Sequence, residues 1–142
     1  MKIPMMVTAD YATVDPLTGK LHILGVFRSI SAQSFPCKHS RMCLALIIEG
    51  EIADSRNPHE LSVSLAGEDG QELLSMQGGF ELPPHTGGVP PQTNVLLELN
   101  DLSFDQPGEY CFYARVNDHE VEDPELEGST AIQVVQTGNG SE

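Results

Sequence analysis

The chain has 142 residues, 39% hydrophobic and 20% charged, which fits one globular domain and excludes whole-chain disorder. With 21 Asp and Glu against 7 Lys and Arg the net charge is −14, so the average surface repels a phosphate backbone and an anionic membrane alike. Three cysteines cannot all pair within the chain, and the longest apolar run, 44–48, is too short to cross a bilayer.

Residues 3–12 read as a first strand. Lys2 is the one basic residue there, and Asp10 interrupts the run too soon for a secretory signal, so reduced thiols in a cytoplasm are expected. Asp15-Pro16-Leu17-Thr18-Gly19 is a turn cluster, and 20–30 returns as a second strand. That strand is apolar on both faces, with Leu21, Ile23 and Phe27 on one and Leu24, Val26 and Ile30 on the other. Gly25 in its middle predicts a bulge or a close backbone approach. Residues 31–41, with Pro36, form a connection. Residues 42–48 form a third strand, again apolar on both faces. Residues 54–59 are a loop, after which Leu61, Val63 and Leu65 alternate with Ser62, Ser64 and Ala66 as in a half-exposed strand. Glu68-Asp69-Gly70-Gln71 signals a hairpin into a strand at 72–77.

Residues 78–92 hold two glycine pairs and two proline pairs, and a loop of that length is expected to be functional, mobile or both. Residues 93–100 form another strand, and Leu102 and Phe104 anchor the turn that follows. Pro107 and Gly108 suit a tight turn. The strand after it points Tyr110, Phe112, Ala114 and Val116 one way and Cys111, Tyr113, Arg115 and Asn117 the other. Asp105-x-x-Gly108-x-Tyr110-x-Phe112 resembles the tyrosine corner of immunoglobulin-like sandwiches. Residues 118–127 are an acidic loop, 129–135 the last strand, and 136–142 a tail expected to fray. The expected fold is all-β: an antiparallel two-sheet sandwich of about eight strands, immunoglobulin-like or C2-like, in one domain over 1–135. A small barrel carries the same local signals.

Ala9-Asp10-Tyr11-Ala12, Gly19-Lys20-Leu21 and Leu24-Gly25-Val26-Phe27, followed by Leu102-x-Phe104-x-x-Pro107-Gly108-x-Tyr110-x-Phe112, resemble a family of small uncharacterised bacterial domains over most of 1–135. The resemblance implies a bacterial single-domain β-sandwich. It implies no activity and no catalytic residue.

Local chemistry is sparse. Cys37-x-His39-x3-Cys43 supplies three zinc-ligand types, one short of a structural site and without the usual close pairs. Asp118, Glu120, Glu122 and Asp123 crowd one connection and make a ligand- or calcium-binding module using the acidic loop 118–127 the alternative function, although the EF-hand pattern is missing. Arg28, Lys38 and Arg41 gather around one connection and suggest at most a local anion site. There is no nucleophile elbow and no phosphate-cradling loop, so no enzyme activity and no cofactor are expected.

The two-faced strands are the more informative feature. If 20–30, 42–49 and 109–117 share a sheet, its second face is apolar and must be covered, either by 78–92 or by a second subunit. The expected function is therefore protein contact, with a homodimer as the simplest form. Leu24, Val26, Ile47 and Tyr113 are the expected contact residues, and loop 78–92 is a second recognition element. Neither nucleic acid nor membrane is an expected partner.

Overall fold

The computed structural model describes residues 1–84, 87–117 and 127–138. These form nine strands: β1 Lys2–Val14, β2 Leu21–Val26, β3 Ser29–Ala32, β4 Cys37–Glu49, β5 His59–Gly67, β6 Glu72–Phe80, β7 Gln92–Phe104, β8 Gly108–Val116 and β9 Glu127–Gln136. A short 3-10 turn, Ile52–Arg56, links β4 to β5. The strands make two sheets in the orders β2-β1-β4-β7 and β3-β9-β8-β5-β6, packed as a sandwich and not a barrel. All strand pairs are antiparallel except β3 with β9, which run parallel and depart from the purely antiparallel expectation.

The core lies between the sheets. Met42, Leu44, Leu46 and Ile48 of β4 face Leu61, Val63 and Leu65 of β5 and Tyr110, Phe112, Ala114 and Val116 of β8. This is the period-2 face expected for β8. At the turn into β8 the Tyr110 hydroxyl donates to the Gln106 carbonyl at 2.6 Å, and Phe104 packs edge-on to the Tyr110 ring at 4.8 Å. The sequence motif is thus a tyrosine corner in fact.

Three sequence expectations need correction. Residues 20–30 are two strands in different sheets. The break at Phe27 and Arg28 is held on both sides. Thr8 accepts from the Phe27 N–H at 3.0 Å and donates to the Phe27 carbonyl at 2.6 Å, while the Arg28 carbonyl accepts from the Gln133 N–H at 2.9 Å. Residues 20–30, 42–49 and 109–117 therefore do not share a sheet, because β8 lies opposite β2 and β4. Finally, β7 runs past residue 100 to Phe104. Asp101 adopts φ +57, which shifts the face of the strand, so Leu99 and Phe104 are both buried although their spacing is odd.

Candidate functional site

The chain's surface chemistry is organised by one hairpin. β1 pairs with β4 through Lys2 to Ala9 and with β2 from Ala9 to Val14, so Ala9 is where the strand passes from one neighbour to the other. The turn between the strands is capped by Asp15, whose Oδ1 accepts from the N–H groups of Leu17 at 2.8 Å and Thr18 at 3.1 Å. Those two bonds hold its carboxyl below the usual value, and His22 adds to the effect. Gly25 sits at φ +71, and a Cβ there would run into the Asp10 carboxylate, so the expected close approach is real.

Asn94 places the hairpin tip. Val95 and Leu97 of β7 pack on the core, so Asn94 projects from the opposite, outer face of the first sheet. Its Nδ2 donates to the Gly19 carbonyl at 3.2 Å. Because β4 lies between β1 and β7, the hairpin must arch across the outer face of its own sheet to make this bond. Ala9, Cys43 and Ala45 belong to that outward face, yet they are buried. At its margin the Arg41 guanidinium stands 5.5 Å over the Tyr11 ring and bonds Glu98 at 2.9 Å.

The arm covers part of the apolar face and is itself apolar on both sides: Tyr11 and Leu24 share one face and Val14 takes the other. Of the nine exposed large hydrophobic residues among those described, five lie on this hairpin: Tyr11, Val14, Leu17, Leu24 and Val26. Leu17 is 94% exposed, Leu24 62% and Val26 58%. Ile47, half-buried, lies opposite Met5 on the same sheet. Tyr113 is 52% exposed, but on the outer face of the other sheet, so the four expected contact residues do not form one surface. The described residues of loop 78–92 lie along β6 and beside Gly50. Gly78 to Phe80 belong to β6, Leu82 is buried against Gly50, and the Gly50 N–H donates to the Pro91 carbonyl at 2.9 Å.

Around Tyr113 the second sheet is polar. Ser62, Ser64, Ser75, Gln77 and Ser129 line a shallow depression of about 690 Å³, with Arg115 bonded to Glu127 at its rim. A hydrogen bond with neighbouring Cys111, and then the negative charge around it, push the Tyr113 phenol up.

The remaining sequence candidates are dispersed. Cys37 packs on the core, Cys43 is buried on the outer side, and the His39 ring lies tilted beside Phe27 at 5.8 Å between centroids. Among the described residues no three His, Cys, Asp or Glu side chains gather where a metal ion could bind. Arg41 of the basic connection is ion-paired with Glu98. His22 lies 3.9 Å from Asp15. The acidic loop, with Asp118, Glu120, Glu122 and Asp123, and also His85 and His119, lie outside the described residues. Sequence reasoning missed one buried polar cluster, His59 with Asn117. The two are 58 positions apart, and no local pattern links them.

No helix among the described residues is long and apolar enough to cross a membrane. The profile of a family described as a family of unknown function (DUF6941) matches residues 4–127. No curated protein matches the chain. Among solved structures, the Pseudomonas fluorescens alkylpurine DNA glycosylase AlkC bound to DNA containing an abasic site analog aligns at 14% identity and a TM-score of 0.42. That alignment covers 91% of this chain but 30% of the glycosylase chain, and the likeness is too loose to carry an argument.

Proposed function

The chain belongs to this family of unknown function, and from its geometry we propose that it is a protein-contact module that self-associates through the β1–β2 hairpin and does not catalyse a reaction. The observation that carries this reading is the concentration of exposed apolar side chains on one arm. Scattered exposed hydrophobics need no explanation, whereas contiguous ones mark contact sites. Burying a Leu or Val side chain fully is worth about 1.5–3 kcal/mol, so Leu24 and Val26 alone supply a useful share of a dimer's stability. Arg41 stands over Tyr11 of the arm, and Lys20 lies on the arm itself, which locally offsets the repulsion between two copies that each carry −14. Residence in a bacterial cytoplasm belongs to the same reading and is supported by the three free cysteines.

Native mass spectrometry of the wild type and of Leu24→Glu/Val26→Glu tests it. The expected result is a species at twice 15.4 kDa for the wild type and a single chain for the variant. A wild type that stays a single chain, or a variant that stays double, overturns the reading.

A further inference from the structure

β6 and β7 are the edge strands on one flank of the sandwich, one from each sheet. Between them opens a cleft of about 440 Å³. Its walls include Val63, Met76, Phe80, Val95 and Leu97, all of them core residues or packed directly on the core. Gly78 and Gly79 lie on the β6 side. A Cβ at Gly78 would meet nothing within 4 Å, and one at Gly79 only the His59 carbonyl at 3.7 Å. The backbone of this edge is therefore uncrowded where side chains would otherwise screen it.

Natural edge strands are blunted with charges or proline. β6 carries neither between Leu73 and Phe80. In an antiparallel strand every second residue turns its N–H and C=O away from its partner, so β6 offers a row of backbone groups on the side away from β5. The formal charges carried by β5, β6 and β7 are all acidic, and Arg115, across β5 from β6, is bonded to Glu127. From residue 57 to residue 114 the chain has nine Asp and Glu and no Lys or Arg. Two of the acids, Glu72 and Glu81, are exposed at the two ends of β6.

We propose that this cleft accepts an extended cationic segment of a partner protein, added as a strand to the free edge of β6. The inference rests on the reading of the chain as a contact module but concerns a surface separate from the hairpin. Backbone bonding to β6 supplies affinity, and alternate apolar side chains enter the cleft beside Met76 and Leu97. Lys or Arg at both ends of the segment meets Glu72 and Glu81, about 30 Å apart along an extended strand. The uniform acidity disfavours an acidic or neutral segment, and electrostatic complementarity of this kind selects partners.

The probe is a nine-residue peptide, Lys-Val-Thr-Val-Thr-Val-Thr-Val-Lys, carrying a fluorophore. Its match has Glu at both ends, and a third peptide has proline at the centre. Anisotropy is measured with the full chain, and amide exchange with and without peptide. The Lys-ended peptide is expected to bind, with new protection confined to β6, and the other two to bind roughly tenfold or more weakly. The variant Glu72→Lys/Glu81→Lys changes only exposed side chains and is expected to reverse the preference between Lys and Glu ends. No binding up to about 1 mM, equal binding of both charge types, or protection away from β6 overturns the inference. So does loss of self-association in Glu72→Lys/Glu81→Lys, because the cleft would then be filled by a second copy. The variant Leu24→Glu/Val26→Glu is expected to keep peptide binding while losing the dimer, so the two surfaces fail separately.

Discussion

Nδ1 of His59 accepts a hydrogen bond from Nδ2 of Asn117 at 3.0 Å. The direction follows from the other ring nitrogen. Nε2 lies 2.6 Å from the Asp54 carbonyl, which can only accept, so Nε2 donates and Nδ1 is left to accept. The Asn117 amide is oriented in turn, since its Oδ1 accepts from the Glu60 N–H at 3.0 Å. The imidazole also stacks on Phe80 at 5.4 Å. One buried side chain thus ties the 3-10 turn, the start of β5, the end of β6 and the end of β8. His59→Ala is expected to lower stability by about 2–3 kcal/mol, from two buried hydrogen bonds and a ring contact. Asn117→Ala should cost about 1–2 kcal/mol. In a urea-unfolding cycle the double variant should lose less than the sum, because both substitutions remove the same bond. Strict additivity would show that the two act independently.

The bond from Asn94 to the Gly19 carbonyl gives a second expectation. It is the one side-chain hydrogen bond described between the hairpin tip and β7. Asn94→Ala should let amides 10–25 exchange faster while the core amides keep their protection, since local opening is separable from global unfolding. Cys43, buried on the face the arm crosses, should react faster with a thiol reagent in the same variant. Unchanged exchange and unchanged thiol reactivity would mean that the arm is held by its strand pairing alone.

Much of the fold can be read from alternation. The inward set Tyr110, Phe112, Ala114 and Val116 and the tyrosine corner follow from a period of 2 and a Pro-Gly turn. What alternation does not carry is which sheet a strand joins. Residues 20–30 are one continuous apolar run, and the break is made by Thr8, 19 positions away, bonding Phe27. The Asp101 face shift lies in a residue without a special turn signature. Alternation separates the two faces of a strand but does not say which is outer. Leu24 and Val26 are exposed on the first sheet, whereas Tyr113 is exposed on the second.

Gly25 separates two costs. At φ +71 a residue with a Cβ pays about 1–2 kcal/mol for the left-handed backbone. Crowding against the Asp10 carboxylate adds to that. Gly25→Ala should therefore destabilise the hairpin, and Asp10→Ala should restore only the crowding part. Measured by amide exchange, the loss should fall on β2 and the second half of β1. Full rescue by Asp10→Ala would show that the backbone conformation itself is not strained.

Cys43, the half-buried Cys37 and Tyr110 contribute to the alkaline side of the stability curve. Burial pushes the Cys43 thiol above the ordinary 9.0, and the Glu98 carboxylate beside it pushes the same way. Burial raises Cys37 as well. Burial again, with Asp105 and Asp69 nearby, raises the Tyr110 phenol above 10.0. In each case the unfolded chain gives up its proton at lower pH than the folded one. Between the two values the folded state binds more protons, so stability falls as pH rises. Their contribution is whole below about pH 9 and is lost through the folded values above it. Urea midpoints should accordingly decline from pH 9 upward. Cys37→Ala/Cys43→Ala should flatten the decline between pH 9 and pH 10 and leave the steeper part above it, which belongs to the phenols of Tyr110 and Tyr113. A decline of the same slope in the double variant would assign the whole effect to the phenols, and Tyr110→Phe should then reduce it.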